Sequence, residues 1–173
     1  MNVERIKSAI RDVPDFPKPG IVFKDITPVL ADPRLFRAAV SIFVERHKGK
    51  GIGKVAAVES RGFMFGAALA DRLKTGFVPI RKKGKLPYGT YEESYDLEYG
   101  SAAVAVHVDA FQKGEAVVLI DDLLATGGTA AAAARLIERA GGTVAEVDFL
   151  IELTFLKGRE KLAGRPVFAA IAF

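Results

Sequence analysis

The chain has 173 residues, half of them hydrophobic, and its 25 Lys and Arg outnumber 21 Asp and Glu to give a formal charge of +4. This composition favours a single folded domain over a disordered chain, and the basic excess indicates an anionic partner without identifying one. The lack of cysteine excludes disulfide bonds, a cysteine nucleophile and a cysteine zinc site.

Taken in chain order, the sequence predicts alternating helices and strands. Helices are predicted over residues 1–11, from Asp32 and Pro33 onward, and over residues 62–73 and 129–140, with one helical turn at 157–162. Strands are predicted over residues 54–58, 77–80, 102–108, 116–120, 143–152 and 166–173. Prolines and a glycine between residues 14 and 20 indicate an extended, turn-rich segment. The alternation predicts an α/β fold with a doubly wound, mostly parallel sheet flanked by helices, in one domain of residues 1–173.

The most informative stretch is the apolar run at residues 117–120, which ends in Asp121 and Asp122 and is soon followed by Thr-Gly-Gly-Thr at residues 126–129. Backbone N–H groups at a helix N-terminus bind phosphate, and the helix dipole favours the negative charge. Two carboxylates would repel a bare phosphate, whereas they suit a ligand that also presents hydroxyl groups or a metal. The stretch therefore favours a phosphorylated sugar. The alternative is an ordinary strand–turn–helix in which the glycines only form the turn.

A second predicted strand–turn–helix contains Ser60 and Arg61, and the next strand runs into a basic cluster with Arg81, Lys82 and Lys85. The planar guanidinium of Arg61 suits a diphosphate, whose neutralisation the basic cluster would complete. The alternatives are a local ion pair of Arg61 with the acid two residues before it, and a solvated basic loop. Because no aromatic-interleaved RNA-binding motif accompanies the cluster, we expect a small phosphorylated ligand rather than nucleic acid.

The stretch at residues 117–129 has neither the lysine of a Walker A loop nor a G-x-G-x-x-G fingerprint. It resembles the phosphoribosyl-pyrophosphate (PRPP) motif of type I phosphoribosyltransferases. Four more segments, at residues 19–28, 59–63, 81–87 and 95–100, follow the order seen in the adenine phosphoribosyltransferases. The resemblance extends from about Phe16 to Leu162 and departs where the family often has arginine in place of Lys24.

The resemblance implies transfer of the phosphoribosyl group of PRPP to adenine, giving AMP and pyrophosphate. It also implies a small hood at about residues 1–30 for base recognition. Residues 83–100, which are polar and punctuated by glycines, are predicted to form a hairpin or a flexible flap. The implied binding residues are Ala125, Thr126, Gly127, Gly128 and Thr129 for the 5′-phosphate, Asp121 and Asp122 for the ribose, Ser60, Arg61, Arg81, Lys85 and Tyr99 for the diphosphate, and Val22, Phe23, Lys24 and Leu123 for adenine.

The catalytic residue implied by the resemblance is Glu98. Taken alone, the Leu-Glu-Tyr-Gly sequence at residues 97–100 is more typical of a solvated turn. In the family motif, its carboxylate would accept or share the proton that the purine loses as a ring nitrogen attacks the ribose. Cations would meanwhile meet the negative charge that develops on the leaving diphosphate.

The resemblance further implies that magnesium arrives as a complex with PRPP. Such an ion uses few protein ligands, so we expect no direct protein ligand, only possible water-bridged contacts to Asp121 and Asp122. A homodimer is implied, with some basic residues reaching across its interface. Because the sequence has neither a secretory h-region nor an apolar run long enough for a bilayer, we expect a cytoplasmic protein with no membrane partner.

Two other functions stay open. The nearer one is a phosphoribosyltransferase for hypoxanthine or xanthine, which offer a carbonyl acceptor where adenine offers an amino donor. The other is a non-catalytic regulator that senses PRPP and binds nucleic acid. His47 and His107 have no ligand pattern near them in the sequence, and neither is given a role.

Overall fold

The computed structural model describes residues 3–97 and 100–173, along which helices and strands alternate. The helices are α1 (Val3–Ala9), α2 (Thr27–Ala31), α3 (Pro33–His47), α4 (Gly62–Leu73) and α5 (Gly128–Arg139), with 3-10 turns at Thr154–Leu156 and Gly158–Leu162. The strands are β1 (Arg11–Pro14), β2 (Val22–Asp25), β3 (Lys54–Val58), β4 (Gly76–Lys82), β5 (Thr90–Asp96), β6 (Ser101–His107), β7 (Ala116–Leu124), β8 (Thr143–Glu152) and β9 (Val167–Ala172). Among the described residues, no helix combines the length and apolar character needed to cross a membrane.

Seven strands form one sheet in the order β5-β6-β4-β3-β7-β8-β9. The pairings from β4 through β3, β7 and β8 to β9 are parallel, whereas β6 is antiparallel to both β4 and β5. The predicted α/β fold with a mostly parallel sheet is therefore confirmed. The parallel pairings bring the carboxyl ends of β4, β3 and β7 side by side, which is where ligands bind in open sheets of this kind.

The sheet is buried on both faces. Along β3, Ala56 and Val58 belong to one core, whereas Val55 and Ala57 belong to the other. Helix α5 covers the first face with its alanine-rich side, and α1, α3 and α4 cover the second. Burial on both faces explains why the central strands are continuous hydrophobic runs in the sequence.

Local signals account for the helix that the sequence predicts from Asp32 onward. The Asp32 carboxylate accepts hydrogen bonds from the backbone N–H groups of Arg34 and Leu35, at 2.7 and 3.1 Å. Pro33 occupies the first turn, where no intrahelical N–H bond is lost. The N-cap and the proline therefore fix the start of α3 at the predicted place.

The structure differs from the sequence prediction at two places that matter for the site. The proline-rich segment connects β1 and β2, two strands that were not predicted and that pair antiparallel, from Pro14 opposite Val22 to Arg11 opposite Asp25. Strand β7 extends four residues past its predicted end at Ile120, because Leu123 and Leu124 continue the pairing with β8. Asp121 and Asp122 are therefore consecutive residues of a strand.

The predicted flap segment includes β5, an edge strand that pairs with β6 along its whole length, from Thr90 opposite His107 to Asp96 opposite Ser101. Glu98 and Tyr99 lie outside the described residues.

A charged cluster joins the C-terminal end of α3 to β8, away from the carboxyl ends of the strands. Arg46 donates to both carboxylate oxygens of Glu146 at 2.6 Å, and His47 Nε2 lies 2.5 Å from Asp148 Oδ2. His47 and Asp148 are buried, and this burial raises the pKa of Asp148 against the opposing effect of His47.

Candidate active site

A cleft of about 410 Å³ opens at the carboxyl ends of β3, β4 and β7. Ten residues of the predicted site line it: Ser60, Arg61, Asp121, Asp122, Leu123, Ala125, Thr126, Gly127, Gly128 and Thr129. Two sequence segments more than fifty residues apart thus meet at one place. Their convergence follows from the parallel pairing of β3 with β7, which puts both strand ends at the same edge of the sheet.

The loop between β7 and α5 has the geometry of an anion site. Gly127 adopts a left-handed conformation with φ of +81° and forms the N-cap of α5, where its carbonyl accepts from the Ala131 N–H at 2.9 Å. No side chain caps α5, and its first turn has no acidic residue. The N–H groups of this first turn therefore remain available to an anion, and the helix dipole favours one.

Asp121 and Asp122 bring two carboxyl groups to the floor of the cleft. The Asp122 N–H donates to Asp121 Oδ1 at 2.8 Å, and the Asp122 carboxylate accepts from Arg61 Nε. Burial, together with the neighbouring Asp122 carboxylate, raises the pKa of Asp121 well above its usual range. The pair therefore brings two adjacent carboxyl groups within reach of one ligand, with Arg61 bound to the second.

Arg61 holds a charge that burial alone would disfavour. Burial lowers the pKa of its guanidinium, but the hydrogen bond and the charge of Asp122 outweigh this effect, so the net pKa is raised. The same guanidinium carbon lies 5.4 Å from the centre of the Phe23 ring. Arg61 therefore contacts a predicted ribose-binding residue and a predicted base-binding residue at once.

Gly62 explains how the Arg61 turn comes so close to β7. A β-carbon on Gly62 would lie 2.9 Å from Asp121 Oδ1 and 3.1 Å from the Ile120 carbonyl oxygen, too close for any side chain without a shift of the backbone. The glycine lets the start of α4 pack directly against the end of β7. The Glu59–Ser60 peptide bond in this turn is cis.

The basic cluster is arranged by Glu59. Its carboxylate accepts from Arg81 Nε at 2.7 Å and from the Lys82 N–H at 3.0 Å. Burial would raise the pKa of Glu59, but these hydrogen bonds from Lys82 and Arg81 outweigh it and lower the pKa. Arg81 also donates to the Lys85 carbonyl at 2.9 Å, which links the residues of the cluster.

Lys82, rather than Arg81 or Lys85, is among the residues that line the cleft. Successive side chains of a strand leave it on opposite faces, so Arg81 and Lys82 leave β4 in different directions. The sequence identified the basic cluster, but it could not show which member faces the cleft, since that depends on the register of β4 in the sheet. The roles of Arg81 and Lys85 at the diphosphate stay predictions.

The segment predicted to bind the base forms β2, beside the cleft rather than on its lining. Phe23 packs edge-on against Phe16, with ring centres 5.2 Å apart, and Val22 is 49% exposed. The Lys24 ammonium pairs with Asp12 at 2.6 Å and lies 4.1 Å from the centre of the Phe173 ring. These contacts occupy the Lys24 side chain and favour a backbone role for this residue.

Tyr95 is a lining residue that sequence reasoning did not single out. It lies near the end of β5, and its Cδ2 atom is 3.4 Å from the place that a β-carbon on Gly128 would take. Its signal in the sequence was its place at the start of the family-like segment at residues 95–100. The first turn of α5 is therefore in contact with the strand that leads to the predicted catalytic residue.

Comparison with known proteins gives a uniform result. The phosphoribosyl transferase domain family matches residues 27–160. The chain is 55% identical to the adenine phosphoribosyltransferase of Chloroflexus aurantiacus over 173 residues, which cover all of both chains. Its fold is similar to the crystal structure of adenine phosphoribosyltransferase from Thermoanaerobacter pseudethanolicus, with a TM-score of 0.96 and 51% identity over 99% of this chain and 100% of that one.

A further similar structure carries ligands. The Saccharomyces cerevisiae adenine phosphoribosyltransferase, complexed with D-2,5-dideoxy-2,5-imino-altritol 1,6-bisphosphate and adenine, has a TM-score of 0.93 and 40% identity, over 97% of each chain.

Proposed function

The chain belongs to the adenine phosphoribosyltransferase family, and we therefore propose that it transfers the phosphoribosyl group of PRPP to adenine, giving AMP and pyrophosphate. One observation carries this proposal: the uncapped start of α5, the two acids of β7 and the Arg61 turn all line one cleft. A phosphate, a sugar and a diphosphate would each find suitable groups there.

The sugar phosphate would bind between α5 and β7. The N–H groups of residues 125–129, with the hydroxyls of Thr126 and Thr129, would hold the 5′-phosphate, and Asp121 and Asp122 would accept hydrogen bonds from the ribose hydroxyls. This arrangement avoids placing a carboxylate directly on the phosphate, because the acids lie on the strand and the N–H groups on the following helix.

The diphosphate would bind at the Ser60–Arg61 turn, with Lys82 on the wall formed by β4. Cations at this place stabilise the charge that the leaving group gains as the bond to the ribose breaks. Arg81 and Lys85 are proposed to contribute from their cluster, within the chain or across the interface of a homodimer. Tyr99 is proposed to close over the same group.

Adenine would lie between Phe23 and Leu123, with the backbone of Val22 and Lys24 reading its polar edge. The contact between Arg61 and the Phe23 ring supports this position, since it puts β2 next to the diphosphate turn. Residues 1–30 would then form the hood of a single-domain enzyme, and residues 83–100 its flap. Glu98 on the flap would accept the purine proton.

Magnesium fits the donor set of this cleft. The phosphate oxygens of PRPP would be direct ligands of this hard ion, and the carboxylate oxygens of Asp121 and Asp122 would accept hydrogen bonds from its water ligands. The ion would neutralise diphosphate charge, while water-bridged contacts to the two acids would hold its complex with PRPP in the cleft. A cytoplasmic location and a homodimer stay predictions.

Pyrophosphate release from magnesium-PRPP with a panel of purine bases tests the function. We expect adenine to be the preferred acceptor by a large factor, because sites that hydrogen-bond a substrate edge reject the mismatched edge by on the order of 10⁴-fold. Preference for hypoxanthine or xanthine would overturn the proposal in favour of a 6-oxopurine enzyme. Salt-sensitive oligonucleotide binding with no turnover of any base would favour the regulator instead.

A variant pair ties the activity to the cleft. Replacing both Asp121 and Asp122 with asparagine should weaken the use of PRPP, whereas Asp71→Asn, at an exposed position on α4, should leave it unchanged. Undiminished turnover in the double variant would contradict the assignment of the ribose site.

A further inference from the structure

The turn that begins at Lys157 meets the phosphate loop backbone against backbone. A β-carbon on Gly158 would overlap the Ala125 carbonyl oxygen and lie 3.1 Å from the Gly127 nitrogen. A β-carbon on Gly127 would in turn overlap the Gly158 carbonyl oxygen and lie 3.0 Å from its carbonyl carbon. Each position therefore needs a glycine, because the backbone of the other segment occupies the space that a side chain would take.

The turn is fixed to the sheet independently of this contact. Arg159 donates to both carboxylate oxygens of Glu152, the last residue of β8, at 2.7 to 2.9 Å, and also to the Val167 carbonyl at 2.9 Å. The hydrogen bond to Glu152 raises the pKa of Arg159. The fully buried Leu162 holds the other end of the turn in the core.

We infer that Gly158 is a positioning residue for the 5′-phosphate site. The turn, fixed through Arg159, forms a rigid support that sets the direction of the N–H groups in residues 125–129, although Gly158 itself touches no ligand. Hydrogen bonds weaken steeply with angle, so a shift of this loop by a few tenths of an ångström changes phosphate affinity. The inference rests on the proposed function, because it assumes that these N–H groups bind phosphate.

Alanine at position 158 isolates the steric contact. The φ angle of Gly158 is not in the left-handed region, so alanine is compatible with the local backbone. The added methyl group must move either the loop or the turn, and Arg159 and Leu162 hold the turn. We therefore expect the substitution to displace the loop.

Binding measured by calorimetry separates the parts of the site. Gly158→Ala should weaken the binding of ribose 5-phosphate by about tenfold or more, equivalent to about 1.4 kcal/mol, since charge-assisted hydrogen bonds are lost. The dissociation constants of adenine and of magnesium pyrophosphate should change less than about twofold, a difference of under about 0.4 kcal/mol. In turnover assays the KM for PRPP should rise more than the KM for adenine.

Gly76→Ala is the matched control, because Gly76 begins β4 at the far end of the sheet and a β-carbon there meets only the flexible Lys54 side chain at 3.4 Å. It should leave all three affinities unchanged. Unaltered ribose 5-phosphate binding in Gly158→Ala, or an equal loss of all three ligands, would overturn the inference.

A second variant tests the same inference if Gly158→Ala does not fold. Arg159→Lys retains the charge but loses the bidentate contact with Glu152. It should weaken ribose 5-phosphate binding selectively, as Gly158→Ala does, but by a smaller factor. A wild-type protein that forms no AMP from adenine would overturn the proposed function. A wild-type protein that forms AMP, with both variants binding ribose 5-phosphate normally, would overturn this inference alone.

Discussion

Arg61 and Asp122 form an ion pair across the cleft, between the turn after β3 and the end of β7. The pair joins a group proposed to bind the diphosphate to one proposed to bind the ribose. In the absence of PRPP, each neutralises the other, so neither charge is left unpaired in a partly buried place. Binding of PRPP then offers the guanidinium a diphosphate and the carboxylate a hydroxyl group, which exchanges one set of contacts for another.

For PRPP binding, the planar, two-pronged geometry of the Arg61 guanidinium should matter more than its charge. We expect Arg61→Lys to raise the KM for PRPP by roughly tenfold, because an ammonium cannot bind Asp122 or a diphosphate through parallel N–H groups. Steady-state kinetics at varied PRPP measures the change. Arg72→Lys, at an exposed position on α4, serves as the control. A KM for PRPP within about twofold of wild type would contradict the role of this guanidinium geometry, since that corresponds to only about 0.4 kcal/mol.

The raised pKa of Asp121 predicts a pH-dependent stability. Burial and the Asp122 carboxylate raise this pKa in the folded chain, so the contribution of Asp121 to stability is present below its unfolded pKa of about 3.9 and is lost as pH rises through the folded value. Asp121→Asn cannot ionise and should have a higher Tm than wild type at neutral pH. A gain of about 1 kcal/mol in the free energy of unfolding would raise the Tm by a few degrees.

Thermal unfolding from pH 4 to pH 8, without ligand, checks this expectation. The Tm difference between Asp121→Asn and wild type should be small at the acid end and should grow as pH rises. A difference that is constant or shrinks with pH would show that ionisation of Asp121 does not oppose folding. The same variant should bind PRPP more weakly, which would make Asp121 a site where stability is exchanged for function.

Glu98→Gln should lower kcat by about 10²-fold or more, the usual range for loss of a general base, with a smaller change in the KM for adenine. The reason is that glutamine keeps the shape of the side chain but cannot take the purine proton. Glu92→Gln, which removes a carboxylate of β5 that pairs with the Lys83 ammonium, provides the comparison. Equal kcat values for Glu98→Gln and wild type would refute the proton role.

Lys161 should contribute to phosphate binding through its charge. Its ammonium lies 3.9 Å from the place that a β-carbon on Gly128 would take, at the N-terminus of α5, where the helix dipole repels a cation. An anion bound there reverses this effect. Lys161→Ala should therefore weaken ribose 5-phosphate binding about threefold to tenfold at low salt and less at high salt, without lowering the Tm of the free protein.

Lys48→Ala, at the exposed residue that follows α3, should leave ribose 5-phosphate binding unchanged. If the loss in Lys161→Ala were independent of salt, a change in the shape of the turn rather than its charge would be the cause.

Local signals in the sequence were sufficient for part of this site. The glycines and threonines of residues 126–129 come soon after an apolar strand, so the loop, its helix and its ligand class could be predicted without knowledge of the sheet. The end of β7 could not be predicted in this way. The strand continues through Asp121 and Asp122, which are typical of a turn, because residues up to Leu124 pair with β8.

Other features depend on contacts between distant segments. Which of Arg81 and Lys82 faces the cleft is set by the register of β4 beside β3. The contact between Gly127 and Gly158 joins residues separated by a strand and a helix. The sequence around each glycine is equally compatible with an ordinary turn, so this contact could not be predicted from it. The resemblance to a known family supplied the predicted base-binding residues, but only the fold shows that β2 lies beside the cleft.

The pairing of Asp96 with Ser101 has a consequence for the chain between them. Four residues of the sequence, 97–100, connect the paired strands at this point, and the Tyr95 ring lies close to the start of α5. We therefore expect the reach of Glu98 toward a bound base to depend on the length of this connection as well as on side-chain chemistry. Adding or removing one residue in the connection should change that reach while leaving the groups that line the cleft in place.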